Sequence, residues 1–172
     1  MNLYLIGMMA TGKTSVGQII AQKSGLQFFD SDEEIEKSTG LTINEIFRSK
    51  GESYFRKLEK SFVEKGHPKN DSIISCGGGL CMQRGILEKI KSLGFVVCLW
   101  AEPQTIFERT CSNTDRPLIA VEDPLNEIKK LIRNRRDRYL KAHQVIPTDG
   151  NSMDFLANLI LDHFKKYKEN LS

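Results

Sequence analysis

The sequence predicts an α/β protein: a mostly parallel five-stranded sheet flanked by helices. Three observations predict it. Short apolar segments and amphipathic segments alternate five times along the 172 residues. One apolar segment, "FVVCLWA" at 95–101, is unbroken, the pattern of a strand buried on both faces. Turns rich in glycine or acids follow the early strands, and in such sheets these turns share one carboxyl edge where ligands bind.

The elements follow in order. "LYLIG" (3–7) is a short apolar strand, and "KTSVGQIIAQKSG" (13–25) places Val16, Ile19 and Ile20 on one helical face before a glycine stop. "LQFFD" (26–30) is a second strand ending in an acid, followed by a short helix in "DEEIEKSTG" (32–40). The stretch 42–66 opens with Thr42 and Glu45, the spacing of a capping box, and Gly51 divides it into two helical pieces. "DSIISC" (71–76) is the third strand, and three glycines leave it. A helix over 83–94, the apolar fourth strand and a helix opened by Pro103 come next. Residues 112–123 have no period and read as a loop. A long helix over 124–143, a last strand "QVIPT" (144–148) and a helix over 152–168 close the chain.

Bulk composition narrows the function classes. With 40% apolar and 27% charged residues the chain belongs among folded proteins, and 172 residues suit one domain, 1–172. A net charge of +3 is too small to make nucleic acid the expected partner. No apolar stretch approaches the about 20 residues needed to span a bilayer, and the N-terminus reads as a strand rather than a signal peptide. Cys76, Cys81, Cys98 and Cys111 form no CxxC pair. Cys76 and Cys98 read as buried thiols, which suits a reducing, cytoplasmic setting.

Six short motifs carry the chemistry. "GMMATGKT" (7–14) fits the phosphate-loop pattern GxxxxGK[ST] in full, between a strand and a helix. Its backbone N–H groups would surround a polyphosphate at a helix N-terminus, with Lys13 on the β- and γ-phosphates and Thr14 on Mg²⁺. Asp30 and Asp32 end the second strand; one could face a metal and the other an acceptor hydroxyl, or Asp32 could simply cap the next helix with Asp30 solvated. Arg56 and Glu59 share a helical face beside Phe47 and Phe55, where an arginine fork suits a carboxylate ligand; a surface ion pair is the plainer alternative. Gly77, Gly78 and Gly79 supply no side chain to a core and make sense where a ligand touches main-chain N–H groups. Arg116, in the irregular stretch, could close over a transferring phosphate. In "RNRRDRY" (133–139) only one or two arginines can point inward, and the sequence does not say which.

Together these motifs resemble the shikimate kinase family along nearly the whole chain: the phosphate loop at 7–14, "DSD" at 30–32, "FRKLE" at 55–59, "GGG" at 77–79, "RPL" at 116–118 and "RRDRY" at 135–139. The resemblance implies a three-layer P-loop kinase fold with a lid over about 111–123 and a substrate-binding helical part over about 32–65. It implies ATP-dependent phosphorylation of the shikimate 3-hydroxyl with Mg²⁺. One domain with no obvious exposed apolar helix suggests a monomer, and a cytoplasmic setting without nucleic-acid or membrane partners is expected. The resemblance puts the nucleotide on Gly7, Met8, Met9, Ala10, Thr11, Gly12, Lys13, Thr14 and Ser15, near Arg109 and Arg116. Asp30 joins Thr14 at the metal. Asp32, Arg56, Gly77, Gly78, Gly79 and Arg135 take the acceptor, Glu59 orients Arg56, and Lys13, Asp32 and Arg116 are the catalytic set. Arg135 is preferred over Arg136 because it stands four residues before Tyr139. Two departures stand out: Ala10 replaces a usual glycine and is acceptable only at negative φ, and His143-Gln144 replaces a small–acidic pair, which bears on the register of Arg135. A gluconate-type kinase and a nucleotide-binding regulator without chemistry are the rival readings. "GGG" and "FRKLE" weigh against the first, and Asp32, Arg56 and Arg116 together weigh against the second.

Overall fold

The computed structural model describes residues 1–111 and 123–171. Five parallel strands form one sheet in the order β2-β3-β1-β4-β5. They are β1 (Asn2–Ile6), β2 (Gln27–Asp30), β3 (Ser72–Ser75), β4 (Gly94–Trp100) and β5 (Gln144–Pro147). The helices are α1 (Lys13–Ser24), α2 (Ser31–Thr39), α3 (Ile43–Lys50), α4 (Glu52–Lys65), α5 (Ile86–Leu93), α6 (Pro103–Cys111), α7 (Pro124–Tyr139) and α8 (Met153–Glu169).

Side-chain alternation on the central strands divides the core in two. Tyr4 and Ile6 of β1 and Val96 and Cys98 of β4 pack with Phe55 and Phe62 of α4, Ile90 of α5 and Ile132 of α7. Leu3, Leu5, Val97 and Leu99 face the other way, onto Val16 and Ile20 of α1 and Leu156 and Ile160 of α8. Because both faces are covered, β1 and β4 are apolar at nearly every position.

Chain order reverses around β1, whose neighbours are β3 and β4. The crevice at such a switch point is where open α/β sheets hold ligands. The loops after β1, β2 and β3 therefore meet there.

The structure differs from the sequence reading at several boundaries. The capping box is present, with Thr42 and Glu45 reciprocally bonded. A short 3-10 turn, Leu80–Met82, separates the glycines from α5, which starts at Ile86 rather than near 83. α7 stops at Tyr139, four residues before the expected end at 143. The cause is His143. Its backbone N–H donates to Val96 O at 3.0 Å, and its Nδ1 accepts from Val96 N–H at 3.0 Å. The imidazole thus stands in for a ladder carbonyl and starts the approach of β5 one residue early. Burial lowers the pKa of His143, with a further contribution from Lys91, and so favours the neutral ring this bond requires.

Candidate active site

The phosphate loop reaches its shape through three positive-φ residues: Gly7 at 140°, Ala10 at 58° and Gly12 at 89°. Ala10 contradicts the requirement of a negative φ. It takes the left-handed conformation, which costs a residue with a Cβ about 1–2 kcal/mol. Its carbonyl accepts from Arg109 Nη1 at 3.1 Å, and the same nitrogen lies 3.4 Å from Thr148 Oγ1. Arg109 thereby joins the loop to the turn after β5. Ala10→Gly is expected to stabilise the protein by roughly 0.5–1 kcal/mol, the strain relieved less the added freedom of the unfolded chain. A thermal unfolding midpoint about 2–3 °C higher would show it; an unchanged or lower midpoint would mean the loop carries no such strain.

Lys13 opens α1 and is buried. Its Nζ donates to Gly7 O at 3.1 Å and Met8 O at 2.8 Å, and Thr11 Oγ1 also donates to Met8 O. Met8 and Met9 turn their side chains into the core, while Ser15 is exposed. α1 has no side-chain cap, like α4 and α5, but unlike those two it also has no acid in its first turn. A helix N-terminus without a side-chain cap or an acid suits an anion such as a nucleotide polyphosphate.

Asp30 and Asp32 divide their roles differently from the plain alternative. Asp30, not Asp32, caps α2: its Oδ1 accepts from Asp32 N–H at 3.0 Å. Its Oδ2 accepts from Thr14 Oγ1 at 2.8 Å, and Ser75 Oγ lies 3.5 Å from that hydroxyl. A hydroxyl and a carboxylate beside a phosphate loop form the oxygen-donor set that suits Mg²⁺. Among the described residues no cluster of three or more His, Cys, Asp or Glu side chains is arranged for a metal.

Close approach constrains the glycine loop most at Gly77; a Cβ on Gly79 would meet only the movable end of Arg56, and one on Gly78 would make ordinary contact. A Cβ on Gly77 would lie 2.5 Å from Asp32 Oδ1, and one on Gly79 would lie 2.6 Å from Arg56 Nη1. On Gly78 it would come within 3.5 Å of both Gly7 O and Met9 N. The glycine loop therefore touches the acid, the arginine and the phosphate loop at once. Gly77 N–H donates to Ser31 Oγ at 2.8 Å, so it is already committed. Gly78 O accepts from Tyr139 OH at 2.6 Å and from Arg135 Nη1 at 3.3 Å. In a trans peptide this turns the N–H of Gly79 to the opposite side. The N–H groups of Gly78 and Gly79 have no partner among the described residues.

Arg135 also reaches Met8 Sδ at 3.6 Å, whereas Arg136 is exposed. Arg56 lies against Phe55 and is held by two acids: Nη1 donates to Glu59 Oε2 at 2.7 Å, and Nε and Nη2 donate to Glu52 Oε1 at 3.1 and 2.8 Å. Glu59 is 1% exposed. Burial pushes its pKa up to about 7 against the opposing pull of Arg56. Arg116 and nearly all of the expected lid lie outside the described residues. Two open grooves are lined by other residues, one between α2 and α4 and one beside β5.

Cys76 and Cys98 are buried as expected, and Cys81 joins them. Burial raises all three thiols, Cys81 and Cys98 to about 12, which makes them inert. Ser31, Gln83 and Tyr139 were not assigned site roles by the motifs. Ser31 lay inside "DSD" and Tyr139 inside "RRDRY", so position alone could have flagged them; Gln83 had no signal.

The chain matches the protein-family model described as Shikimate kinase over residues 9–165. The chain belongs to the shikimate kinase family. A shikimate kinase from Thermodesulfovibrio yellowstonii is 41% identical over 96% of this chain and 95% of the relative. Among solved structures, shikimate kinase from Acinetobacter baumannii in complex with shikimate aligns with a TM-score of 0.91 at 36% identity, covering 97% of this chain and 94% of that one. A gluconokinase from Sinorhizobium meliloti aligns at TM-score 0.63 with 16% identity over 99% of this chain and 94% of that one, a likeness of fold alone.

Proposed function

We infer that the chain is a shikimate kinase that transfers a phosphoryl group from ATP to the 3-hydroxyl of shikimate. One observation carries the assignment of the site. Arg56, Arg135 and Asp32 converge on a glycine loop that itself abuts the phosphate loop. Two arginines and main-chain N–H groups suit a small carboxylate, and an acid beside them suits a hydroxyl.

In this reading Arg56, Arg135 and the N–H groups of Gly78 and Gly79 hold the acceptor carboxylate. Gly77 contributes by leaving room for Asp32, which takes the hydroxyl proton as the oxygen attacks. Lys13 leaves the carbonyls of Gly7 and Met8 for the phosphate oxygens and, with Arg116, stabilises the moving charge. Mg²⁺, when bound, neutralises charge on the phosphate oxygens, and Thr14 and Asp30 would hold it. Arg109 orients the nucleotide side of the loop. Transfer rests on positioning and charge neutralisation, with no covalent enzyme intermediate. The chain is taken as one domain with a lid over about 111–123, working as a cytoplasmic monomer on small molecules. Its modest net charge of +3 supports small anions over nucleic acid.

Arg56→Ala tests the site map. It removes charge-assisted hydrogen bonds worth about 1.5–3 kcal/mol each, so KM for shikimate should rise roughly 10- to 100-fold. KM for ATP should stay near that of the unsubstituted protein. A rise confined to ATP would place the acceptor elsewhere.

A further inference from the structure

The buried carboxylate of Glu59 has an uneven environment. Its Oε2 accepts from Arg56 Nη1 at 2.7 Å and from Gln83 Nε2 at 2.8 Å. Its Oε1 is buried with no hydrogen-bond partner among the described residues. A carboxylate removed from water is costly unless donors compensate it, and Glu59 has these two. Gln83 is itself well anchored. Its N–H donates to Leu80 O at 3.3 Å, and its carbonyl accepts from Ile86 N–H at 3.2 Å and Arg138 Nη1 at 3.5 Å. Its carboxamide thus ties the exit of the glycine loop to α4.

The donor count on Arg56 shows what this achieves. A guanidinium has five N–H groups. Glu52 takes one on Nε and one on Nη2, and Glu59 takes one on Nη1. One N–H on Nη1 and one on Nη2 remain available to a carboxylate. Their direction depends on Glu59 staying in place, because Glu52 is 64% exposed and Glu59 is buried.

We propose that Gln83 is a positioning residue for acceptor binding: through its hydrogen bond to Glu59 it holds the carboxylate that aims Arg56. The inference rests on the reading of Arg56 as the acceptor's carboxylate anchor. Among the described residues, the charged and titratable groups around Glu59 are Arg56 and Glu52 on its own helix, Asp32 from α2 and Cys81 from the 3-10 turn, with Arg138 of α7 on the carbonyl side of Gln83. Burial, helped by Asp32, favours the protonated acid, while Arg56 and Gln83 favour the ionised form. With the pKa near 7, loss of one donor shifts the balance within the working pH range.

Gln83→Met keeps the side chain's length and removes the donor. KM for shikimate should rise about 5- to 10-fold near pH 7, as expected for a lost hydrogen bond to a charged group acting at one remove. Since the ionised form of Glu59 holds Arg56, KM rises as pH falls through the Glu59 pKa. The variant's midpoint should lie about one pH unit higher than that of the unsubstituted protein. The defect should therefore shrink at pH 9 and widen at pH 6, with KM for ATP unchanged at both. In a Glu59→Gln background, Gln83→Met should add nothing, the non-additivity expected of residues acting through one another. A KM increase equal at pH 6 and 9, or equal in the Glu59→Gln background, would overturn the proposal and leave only a packing effect. So would a KM identical to that of the unsubstituted protein at every pH. Absence of shikimate-dependent turnover in the unsubstituted chain would instead overturn the reading of the site on which the inference rests.

Discussion

Lys13→Ala is expected to lower turnover about 1,000-fold, the scale of losing one preorganised donor aimed at developing charge. The structure explains why so much rests on one side chain. Lys13 is buried at the start of α1, and its ammonium lies against two carbonyls of the loop that would surround the phosphates. The same contacts show why the fold should survive. Thr11 Oγ1 continues to donate to Met8 O at 2.9 Å, and the neighbouring backbone path is fixed by Gly7 and Gly12. Each kcal/mol lost would move the unfolding midpoint by only about 2–4 °C in a chain of this length. Near-normal turnover in a folded Lys13→Ala protein would remove the lysine from the reaction.

Asp32→Asn should cost roughly 10²–10⁴-fold in kcat, the range for removing a positioned general base. The substitution keeps the shape that Gly77 accommodates and removes the ability to take a proton. Asp30 already serves as the cap of α2, so Asp32 is not needed to start that helix. Its carboxylate is placed instead against the glycine loop, near Glu59. A decrease in kcat with little change in KM for either substrate is the expected pattern. Equal loss of shikimate binding and no loss in kcat would make Asp32 a binding residue only.

The order of elements was legible because α/β proteins write it in alternation. β4 reads as buried on both faces from "FVVCLWA" alone, and Gly51 divides α3 from α4 as its position suggested. The end of α7 was not legible. Helical spacing continues past Tyr139, but His143 pairs with Val96 in three dimensions, and no local pattern announces a side chain that replaces a backbone acceptor. Ala10 shows a similar limit. Local propensity argues against a positive φ for alanine, yet the closure of the loop between β1 and α1 imposes one.

The site was legible where chemistry forces residue type. A phosphate loop needs glycines and a lysine, and a Cβ on Gly77 would crowd Asp32 Oδ1 at 2.5 Å. It was less legible where one group is interchangeable with many others. Nothing in "MQRG" marks Gln83 as a donor to a buried acid 24 positions earlier. Nothing before folding distinguishes Arg135, on Gly78 O, from Arg136, in solvent, except the spacing from Tyr139.

The most direct test of the account follows ADP release by the purified protein with Mg-ATP, adding shikimate, gluconate or no acceptor in parallel. The account predicts ADP only with shikimate, one equivalent of shikimate 3-phosphate per ADP. ADP formation with gluconate, or none that depends on an acceptor in a folded protein that still binds ATP, would contradict it.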